Sequence, residues 1–273
     1  MLCLNGSLEP PALLYRIVPY SRLLEMLSTK QTALVSPVLW EDPYEAAPLR
    51  VQLTHPLYRD VDGAMKVGMK FIGEPVRAGT WSQGGGAIRL IYCQSWTATS
   101  ETDTMWRAYS QSKDGVRLRV KTSRLMEAFE AAWPEDSCFL GEVVYVPREE
   151  IDEELNDGKA CYRLQMRGGT VNDVRGLGWI SALTRKRSEF HPEHEFRLIL
   201  VKRNGYTTQD WPKLAFQPFD PIALVDEITL DPRSDKLSQV EQKLRAHGYP
   251  GLVNRSGLYQ GPDYSFWNST HPR

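Results

Sequence analysis

The chain has 273 residues, of which 41% are hydrophobic and 25% are charged, and these fractions exclude a disordered polypeptide. Its formal net charge of −1 excludes the electrostatic profile of a general nucleic-acid binder and leaves a local basic patch, residues 184–187 (TRKR), as a candidate. No apolar run is long enough to cross a bilayer, residues 1–10 lack the pattern of a signal peptide, and the four cysteines form no CxxC pair. We therefore expect free thiols and a soluble, cytoplasmic protein without a membrane partner.

The first third of the chain is predicted to form short strands and one helix. Residues 12–18 (ALLYRIV) follow the breaker EPP and predict a strand that is interrupted by a single charge, Arg16. The leucine spacing of SRLLEMLSTK predicts a helix, and TALVSP predicts a second strand. Periodicity is poor and glycines accumulate over residues 55–86, which predicts a mobile loop inserted at this point.

Regular patterns return after the loop. IRLIYCQSW predicts a strand, SETDTMWRAYS a helix, and the alternating GVRLRVKT a half-buried strand with Arg117 and Arg119 on its open face. The remaining predicted elements are, in order, the helix SRLMEAFEAAW, the strand CFLGEVVYV, helices at YRLQM and WISALTRK, the strands EFRLILV and DEITL, the helix DKLSQVEQKLRAHG and the strand GLVNRS. Because regular βαβ alternation is missing, this order predicts an α+β fold: a single domain over residues 1–273 with mixed, mostly antiparallel sheets flanked by helices.

The densest group of titratable residues, HPEHE at residues 191–195, lies directly before a predicted buried strand. A zinc site is disfavoured because Pro192 separates His191 from His194 and disrupts the helical turn that zinc-protease signatures require. We therefore predict no metal here. A metal-dependent nuclease that uses the two glutamates with His191 is kept as an alternative.

The two glutamates of this group, Glu193 and Glu195, are two residues apart where the predicted strand begins. An extended backbone would direct both side chains to the same face. Two carboxylates in one cleft repel each other, which raises the pKa of one and separates their roles in catalysis. The simpler interpretation is a charged loop that ends where a strand begins.

Two earlier strands carry further candidates. Arg16 is a lone charge in an apolar strand, which indicates either a salt bridge to one of these glutamates or a guanidinium that binds a phosphate. Ser95, Trp96 and Thr97 end a second strand, where a hydroxyl can orient a glutamate and an indole can stack on a flat ligand. The simpler interpretation of these three residues is an ordinary strand end.

An arginine on an early strand, Ser-x-Thr on a middle strand and Glu-x-Glu before a late strand follow each other in the chain. This order resembles the arginine–serine–glutamate class of ADP-ribosyltransferases, although the middle motif is Ser-Trp-Thr instead of Ser-Thr-Ser. The resemblance implies an ADP-ribosyltransferase-like fold, NAD as the substrate, and a macromolecular acceptor that is RNA, DNA or protein. It also implies a role as a toxin or phage-defence effector, for which an antitoxin is a candidate partner.

The same resemblance implies a role for each candidate residue. Glu195 would stabilise the oxocarbenium-like state in which the nicotinamide–ribose bond breaks, and Glu193 would activate the acceptor. Ser95 would hold Glu195 in place. Because Arg16, Ser95 and Glu195 all lie in or at the edge of predicted strands, we expect the three to share one cleft. The residues implied in NAD binding are Arg16 at the phosphates, Trp96 or Tyr20 stacked on the positively charged nicotinamide, and Ser95 and Thr97.

A broader resemblance extends over most of the chain. WEDPYEA, MWRAYSQSKDGVRLRV and SEFHPEHEFRL are similar to a bacterial domain-of-unknown-function family with fNDPfE, MWxxY and ExE.R motifs. The chain departs from that pattern at Glu41, where asparagine is usual, and at residues 190–192, where a tryptophan usually precedes the glutamates. Both resemblances meet at the same Glu-x-Glu, which favours an NAD-dependent ADP-ribosyltransferase. The alternative from another class is a non-enzymatic regulatory or binding protein whose charges form a structural ion-pair network.

Overall fold

The computed structural model describes residues 2–4, 9–47, 91–156, 182–202 and 211–262. The loop predicted over residues 55–86 and the helix predicted at YRLQM lie outside this part of the chain. The described strands are β1 (Leu2–Leu4), β2 (Leu13–Pro19), β3 (Gln31–Val35), β4 (Ile91–Thr97), β5 (Gly115–Lys121), β6 (Ser137–Glu142), β7 (Val144–Val146), β8 (Arg185–Arg187), β9 (Glu195–Val201), β10 (Leu214–Pro218), β11 (Val225–Leu230) and β12 (Leu252–Arg255). The described α-helices are α1 (Tyr20–Thr29), α2 (Asp103–Tyr109), α3 (Thr122–Ala132), α4 (Arg148–Asn156), α5 (Pro221–Leu224) and α6 (Leu237–Ala246). Short 3-10 helices cover Pro37–Leu39 and Ser188–Glu193.

Ten of the described strands form one sheet with the order β1-β6-β9-β4-β2-β5-β11-β12, and β3 with β10 joins it beside β4. Most neighbouring strands are antiparallel; the parallel pairs are β1 with β6, β11 with β12, and β7 with β8 in a separate small sheet. The large sheet divides at β4, because Thr97 pairs with Tyr15 of β2 whereas Cys93 pairs with Val35 of β3. Strand β4 therefore has two partners on one side, each along part of its length.

The large apolar core lies on the face of the sheet that α1, α3 and α6 cover. Phe196, Leu198 and Leu200 occupy alternate positions of β9 and pack there, because side chains along a strand alternate between its two faces. The helices contribute Leu23, Met26 and Leu27 of α1, Leu125, Met126 and Phe129 of α3, and Val240 and Leu244 of α6. The apolar stripes of these helices thus cover one face of the sheet.

The opposite face carries a smaller apolar cluster next to a charged one. Ile199 and Val201 of β9 pack on this face against other apolar residues, which include Ile91 and Cys93 of β4. The other two β9 positions on this face are Glu195 and Arg197, and both are buried. All seven residues of β9 are buried, so the strand is covered on both faces. Its two charged residues, Glu195 and Arg197, therefore need partners.

The predicted fold class is confirmed, since the described chain is an α+β arrangement with a mostly antiparallel sheet flanked by helices. A single domain over residues 1–273 stays a prediction. The helix predicted over residues 179–186 is wrong at its end, because Arg185–Arg187 form β8 and pair in parallel with Val144–Val146. This strand pairing and the burial of Lys186 override the local helical pattern. None of the described helices is both long enough and apolar enough to span a bilayer.

Candidate active site

The strand register brings Glu195 and Ser95 together on the face opposite α1, α3 and α6. Thr97 of β4 lies directly opposite Glu195 of β9, and Ser95 lies opposite Arg197. Residues two apart on paired strands share a face, so the four side chains project in the same direction. Glu195 is only 3% exposed, whereas Ser95 is exposed. The buried carboxylate therefore lies beside an exposed residue, Ser95.

Four hydrogen bonds fill the acceptor positions of the Glu195 carboxylate. The Ser95 hydroxyl donates to Oε1 at 2.5 Å, and Arg197 donates from Nε to Oε1 at 2.6 Å and from Nη2 to Oε2 at 3.0 Å. Lys186 Nζ donates to Oε2 at 3.2 Å, the longest of the four. A carboxylate offers about four lone-pair positions, so this side chain is fixed in one orientation.

The two cations that bind Glu195 also bind two further carboxylates. Arg197 donates from Nη2 to Glu45 at 2.8 Å, and its guanidinium lies 4.3 Å from the ring centroid of Trp40. Lys186 Nζ lies 3.0 Å from Glu45 and 2.7 Å from Glu193. The resulting charge cluster, defined as Glu45, Lys186, Glu193, Glu195 and Arg197, holds three carboxylates and two cations. It carries one negative charge in excess.

Glu193 reaches this cluster by a different route from the predicted one. It ends the 3-10 helix Ser188–Glu193, and His194 adopts a left-handed backbone with φ of 41° before β9 begins at Glu195. The prediction that one extended strand carries both glutamates is therefore wrong, but the turn returns the Glu193 carboxylate to Lys186. Its side chain is 22% exposed, against 4% for that of Glu195, so the two carboxylates lie at different depths.

Tyr109, at the end of α2, marks the outer side of the charge cluster. Its hydroxyl donates to Glu193 Oε1 at 3.1 Å, and the residue is 47% exposed. Burial of the phenol and the nearby Glu193 carboxylate raise the pKa of Tyr109, so the hydroxyl stays a donor at neutral pH. The Glu193 carboxylate therefore accepts from the exposed Tyr109 hydroxyl on one side and binds the buried Lys186 ammonium group on the other.

The ionisation of Glu195 follows from its neighbours. Burial alone would raise the pKa of this carboxyl, but the charge and hydrogen bonds of Arg197, with Lys186 and Ser95, lower it to about 2. Burial would lower the pKa of Lys186, but Glu195, Glu45 and Glu193 raise it above its ordinary value. At neutral pH the carboxylate of Glu195 is therefore negative and Lys186 is positive.

The lowered pKa of Glu195 predicts how protein stability depends on pH. A group whose pKa falls on folding stabilises the folded state above its unfolded pKa, here about 4.5, and this contribution disappears as pH falls toward 2. The difference in free energy of unfolding between wild type and Glu195→Gln should be constant from about pH 6 to 8 and shrink below about pH 4. Urea unfolding of both proteins across this range measures it. A constant difference down to pH 2.5 would contradict the assigned ion pairs.

The histidines of the HPEHE segment pack against each other. The 3-10 helix and the left-handed backbone of His194 that follows it bring the rings of His191 and His194 to a centroid distance of 4.9 Å. Tyr145 contacts His191 at a centroid distance of 5.2 Å, and its hydroxyl accepts from the main-chain N–H of Glu195 at 2.8 Å. Within the described residues, no three histidine, cysteine, aspartate or glutamate side chains are grouped as metal ligands.

The structure does not bring Arg16 to Glu195. Tyr15 of β2 pairs with Thr97, so Arg16 projects from the other face of the sheet, where its guanidinium lies 6.0 Å from the Trp96 ring centroid. Burial, with the nearby charge of Arg22, lowers the pKa of Arg16 to about 10, and no carboxylate among the described residues pairs with it. The predicted cleft with Arg16, Ser95 and Glu195 is therefore wrong for Arg16, and so is its predicted salt bridge to a glutamate.

Two other predicted NAD-binding residues lie on the helical side. Trp96 belongs to the large core and is 3% exposed, and Tyr20 packs against that core from the first position of α1. Thr97 shares the face of Glu195, but its hydroxyl accepts from the main-chain N–H of Thr99 at 3.0 Å. Glu193, Glu195, Ser95 and Thr97 are therefore the predicted residues that the fold places together.

Sequence reasoning missed several residues of the charge cluster and its border. Glu45, Tyr109 and Arg197 lie in the quoted motifs WEDPYEA, MWRAY and EHEFRL, so each was visible as part of a pattern. Lys186 lies in TRKR, which was interpreted as a local basic patch. Its side chain is 7% exposed, so it belongs to the interior of the protein.

Comparisons with known proteins agree with one part of the sequence analysis. A family model described as a protein of unknown function (DUF2971) matches residues 105–198, which confirms the resemblance to a family of unknown function over this segment. No curated protein matches the sequence.

The structure is similar to Thermus sp. 2.9 DarT in complex with NAD+, at 10% identity and a TM-score of 0.39, over 92% of this chain and 98% of that one. It is also similar to the same DarT in complex with ADP-ribosylated ssDNA, at 10% identity and a TM-score of 0.35, over 91% and 96% of the two chains. A third similar structure is Thermosipho africanus DarTG in complex with ADP-ribose, at 12% identity and a TM-score of 0.32, over 90% of this chain and 50% of that one.

Proposed function

We propose that this protein is an NAD-dependent ADP-ribosyltransferase that transfers ADP-ribose to a macromolecular acceptor, which is RNA, DNA or protein. The observation that carries the proposal is the buried carboxylate of Glu195, which the hydroxyl of the exposed Ser95 contacts at 2.5 Å. A carboxylate that is ionised, fixed in orientation and next to an exposed residue can stabilise a cation that forms beside it. The order of these residues in the chain supports the same assignment.

The proposed reaction begins at the bond between nicotinamide and ribose. This bond breaks and its electron pair leaves with neutral nicotinamide, so positive charge develops at the ribose C1′ and its ring oxygen. Glu195 stabilises that charge and accepts a hydrogen bond from a ribose hydroxyl. The acceptor then forms a bond to C1′ and loses its proton to a base.

A ribose hydroxyl would replace the contact between Lys186 and the Glu195 carboxylate. The bond from Lys186 to Glu195 Oε2 is 3.2 Å, the longest of the four to that carboxylate, and Lys186 also binds Glu193 and Glu45. The ammonium group therefore keeps two carboxylate partners when it leaves Glu195. Arg197 and Ser95 stay in place and hold the orientation of the carboxylate.

Glu193 is the proposed base for the acceptor. Its side chain is more exposed than that of Glu195, and the hydroxyl of Tyr109 donates to it at 3.1 Å on the outer side. An acceptor that approaches from solvent would meet this carboxylate first. Glu193 can then take the proton of the nucleophile as the new bond forms.

One observation favours a second candidate, a non-enzymatic binding protein in which the charge cluster is structural. All four lone-pair positions of the Glu195 carboxylate are occupied by groups of the protein itself. A buried network of this kind fixes the fold locally and needs no substrate. Enzymatic activity separates the two candidates directly.

The test of the proposed function is incubation of the purified protein with NAD that is labelled in its adenosine part. Single-stranded DNA, RNA and total protein are offered as acceptors in separate reactions. We expect release of nicotinamide and a mass increase of one ADP-ribose on one acceptor class, located by mass spectrometry. If neither product forms in any of the reactions, the non-enzymatic candidate is the function that remains.

A toxin or phage-defence role, with an antitoxin partner and a cytoplasmic location, also belongs to this proposal. Expression in bacteria tests it, since a transferase acting on a host macromolecule would arrest growth. We expect induction of the wild-type chain to stop growth and induction of Glu195→Gln to be tolerated at equal protein levels. Normal growth with confirmed activity in vitro would remove the toxin role and keep the transferase.

A further inference from the structure

The face of the sheet that carries Glu195 continues across four further strands. Glu195 lies opposite Thr97, Thr97 opposite Tyr15, Tyr15 opposite Arg119, and Arg119 opposite Glu227. Directly paired residues project from the same face, so these side chains form one cross-strand row from β9 to β11. An arginine therefore shares the face of the proposed catalytic carboxylate, as Arg16 was predicted to do.

Arg119 is held by a buried carboxylate but is not enclosed. Its Nη1 lies 2.5 Å from Glu227 Oε2, and its side chain is 32% exposed. Arg117 binds the other oxygen of Glu227 from Nη2 at 2.9 Å and lies over the ring of Tyr15 at 5.3 Å. One carboxylate thus fixes two guanidinium groups side by side.

Arg117 donates from both terminal nitrogens, from Nη1 to the Ser100 carbonyl and from Nη2 to Glu227 and Thr229. Nε of Arg117 and Nε of Arg119 are both buried without a hydrogen-bond partner among the described residues. Glu101 lies 3.6 Å from Arg117 Nη1, but its carboxylate accepts instead from the indole of Trp106 at 2.8 Å. A guanidinium has five N–H donors in a planar fork that matches phosphate oxygens, and the Arg119 side chain is 32% exposed although its Nε is buried.

We propose that Arg119, positioned by Glu227 and Arg117, binds the diphosphate of the substrate, with Tyr15 as the surface between the diphosphate and the catalytic carboxylate. The inference rests on the proposed function, because it is the NAD of that reaction that supplies the diphosphate. It assigns the phosphate-binding role to β5 instead of β2.

The spacing of the strands fits this assignment. Three strand spacings of about 4.7–4.9 Å place the Cα atoms of Glu195 and Arg119 roughly 14–15 Å apart along the row. In NAD the diphosphate is joined to the reacting C1′ through one ribose ring. A ribose beside Glu195 therefore directs the diphosphate across β4 and β2 toward β5, the strand that carries Arg119.

Calorimetric titration with ADP-ribose tests the inference, because this probe contains the diphosphate and needs no catalysis. We expect Arg119→Gln to weaken the Kd for ADP-ribose by about 10-fold or more, since a charge-assisted contact to the diphosphate is lost. The matched control is Arg16→Gln, which removes a guanidinium from the opposite face and should bind within about twofold of wild type. Arg119→Lys keeps the charge and loses the fork, and it should be weakened by an intermediate factor.

The outcomes separate this inference from the proposed function. Wild-type affinity for ADP-ribose in Arg119→Gln and Arg119→Lys, together with weakened binding in Arg16→Gln, would overturn the inference. NAD cleavage by the wild-type protein would in that case still support the proposed transferase function. Absence of both ADP-ribose binding and NAD cleavage in wild type would overturn the proposed function, and the inference with it. If Arg119→Gln does not fold, as judged by thermal melting, Arg119→Lys decides: unchanged affinity there rejects the inference.

Discussion

The Glu195→Gln variant is expected to cleave NAD about 100- to 1,000-fold more slowly than wild type and to lose transfer to the acceptor to the same extent. Glutamine keeps the shape of the side chain and can still accept a hydrogen bond from Ser95, which donates to Glu195 at 2.5 Å. It removes the negative charge that faces the developing cation at C1′. The release of nicotinamide at saturating NAD measures the effect.

A loss of activity in Glu195→Gln has to be distinguished from a loss of structure. Removing one partner from a buried ion pair typically costs about 3–5 kcal/mol of stability, because the remaining charge is left uncompensated. The matched control is Glu45→Gln, since Glu45 accepts from Arg197 at 2.8 Å and lies 3.0 Å from Lys186. This variant removes a buried carboxylate from the same two cations and leaves the contact between Ser95 and Glu195 in place.

We expect both variants to melt at a lower temperature than wild type, and only Glu195→Gln to lose NAD cleavage by the full factor. Rates are compared at a temperature at which circular dichroism shows both variants folded. Parallel losses of stability and activity in the two variants would instead assign the charge cluster to the structural alternative.

The sequence predicted the identity of the strands better than the faces from which their side chains project. Residues 12–18 and the strand IRLIYCQSW were both predicted as strands, and β2 and β4 lie at those positions. Whether Arg16 or Tyr15 shares a face with Glu195 depends on the register between strands far apart in the chain. A shift of one residue in the pairing of Tyr15 with Thr97 would exchange the two faces. Local patterns do not contain this information.

The carboxylates were easier to predict than the cations that bind them. Glu193 and Glu195 stand out as a dense acidic group before an apolar run, and Ser95 ends a strand in a typical way. Lys186 lies in a basic run whose local pattern is helical and solvated. Its burial results from pairing between β7 and β8, which places it among Glu45, Glu193 and Glu195. The sequence alone shows which residues are charged, whereas the residues that pair with them depend on the fold.

Glu193→Gln is expected to separate transfer from hydrolysis. If Glu193 activates the acceptor, the variant should lose transfer by roughly 100-fold, within the usual range for a general base. It should keep most of its NAD hydrolysis, because Glu195 still stabilises the cation and water needs less precise positioning than a chosen acceptor atom. The difference in exposure between the two side chains, 22% for Glu193 and 4% for Glu195, is the structural basis for this division.

Two variants control this experiment, which measures nicotinamide release and labelled acceptor in the same reaction. Tyr109→Phe removes the hydroxyl that donates to Glu193 at 3.1 Å and should reduce transfer by a smaller factor without reducing hydrolysis. Glu189→Gln removes a carboxylate from the same 3-10 helix, where its side chain is 56% exposed and lies 3.8 Å from Arg187, and it should leave both rates unchanged. Equal losses of hydrolysis and transfer in Glu193→Gln would show that the two glutamates act on the same step. Glu193 and Glu195 would then have no separate roles, and a base other than Glu193 would have to activate the acceptor.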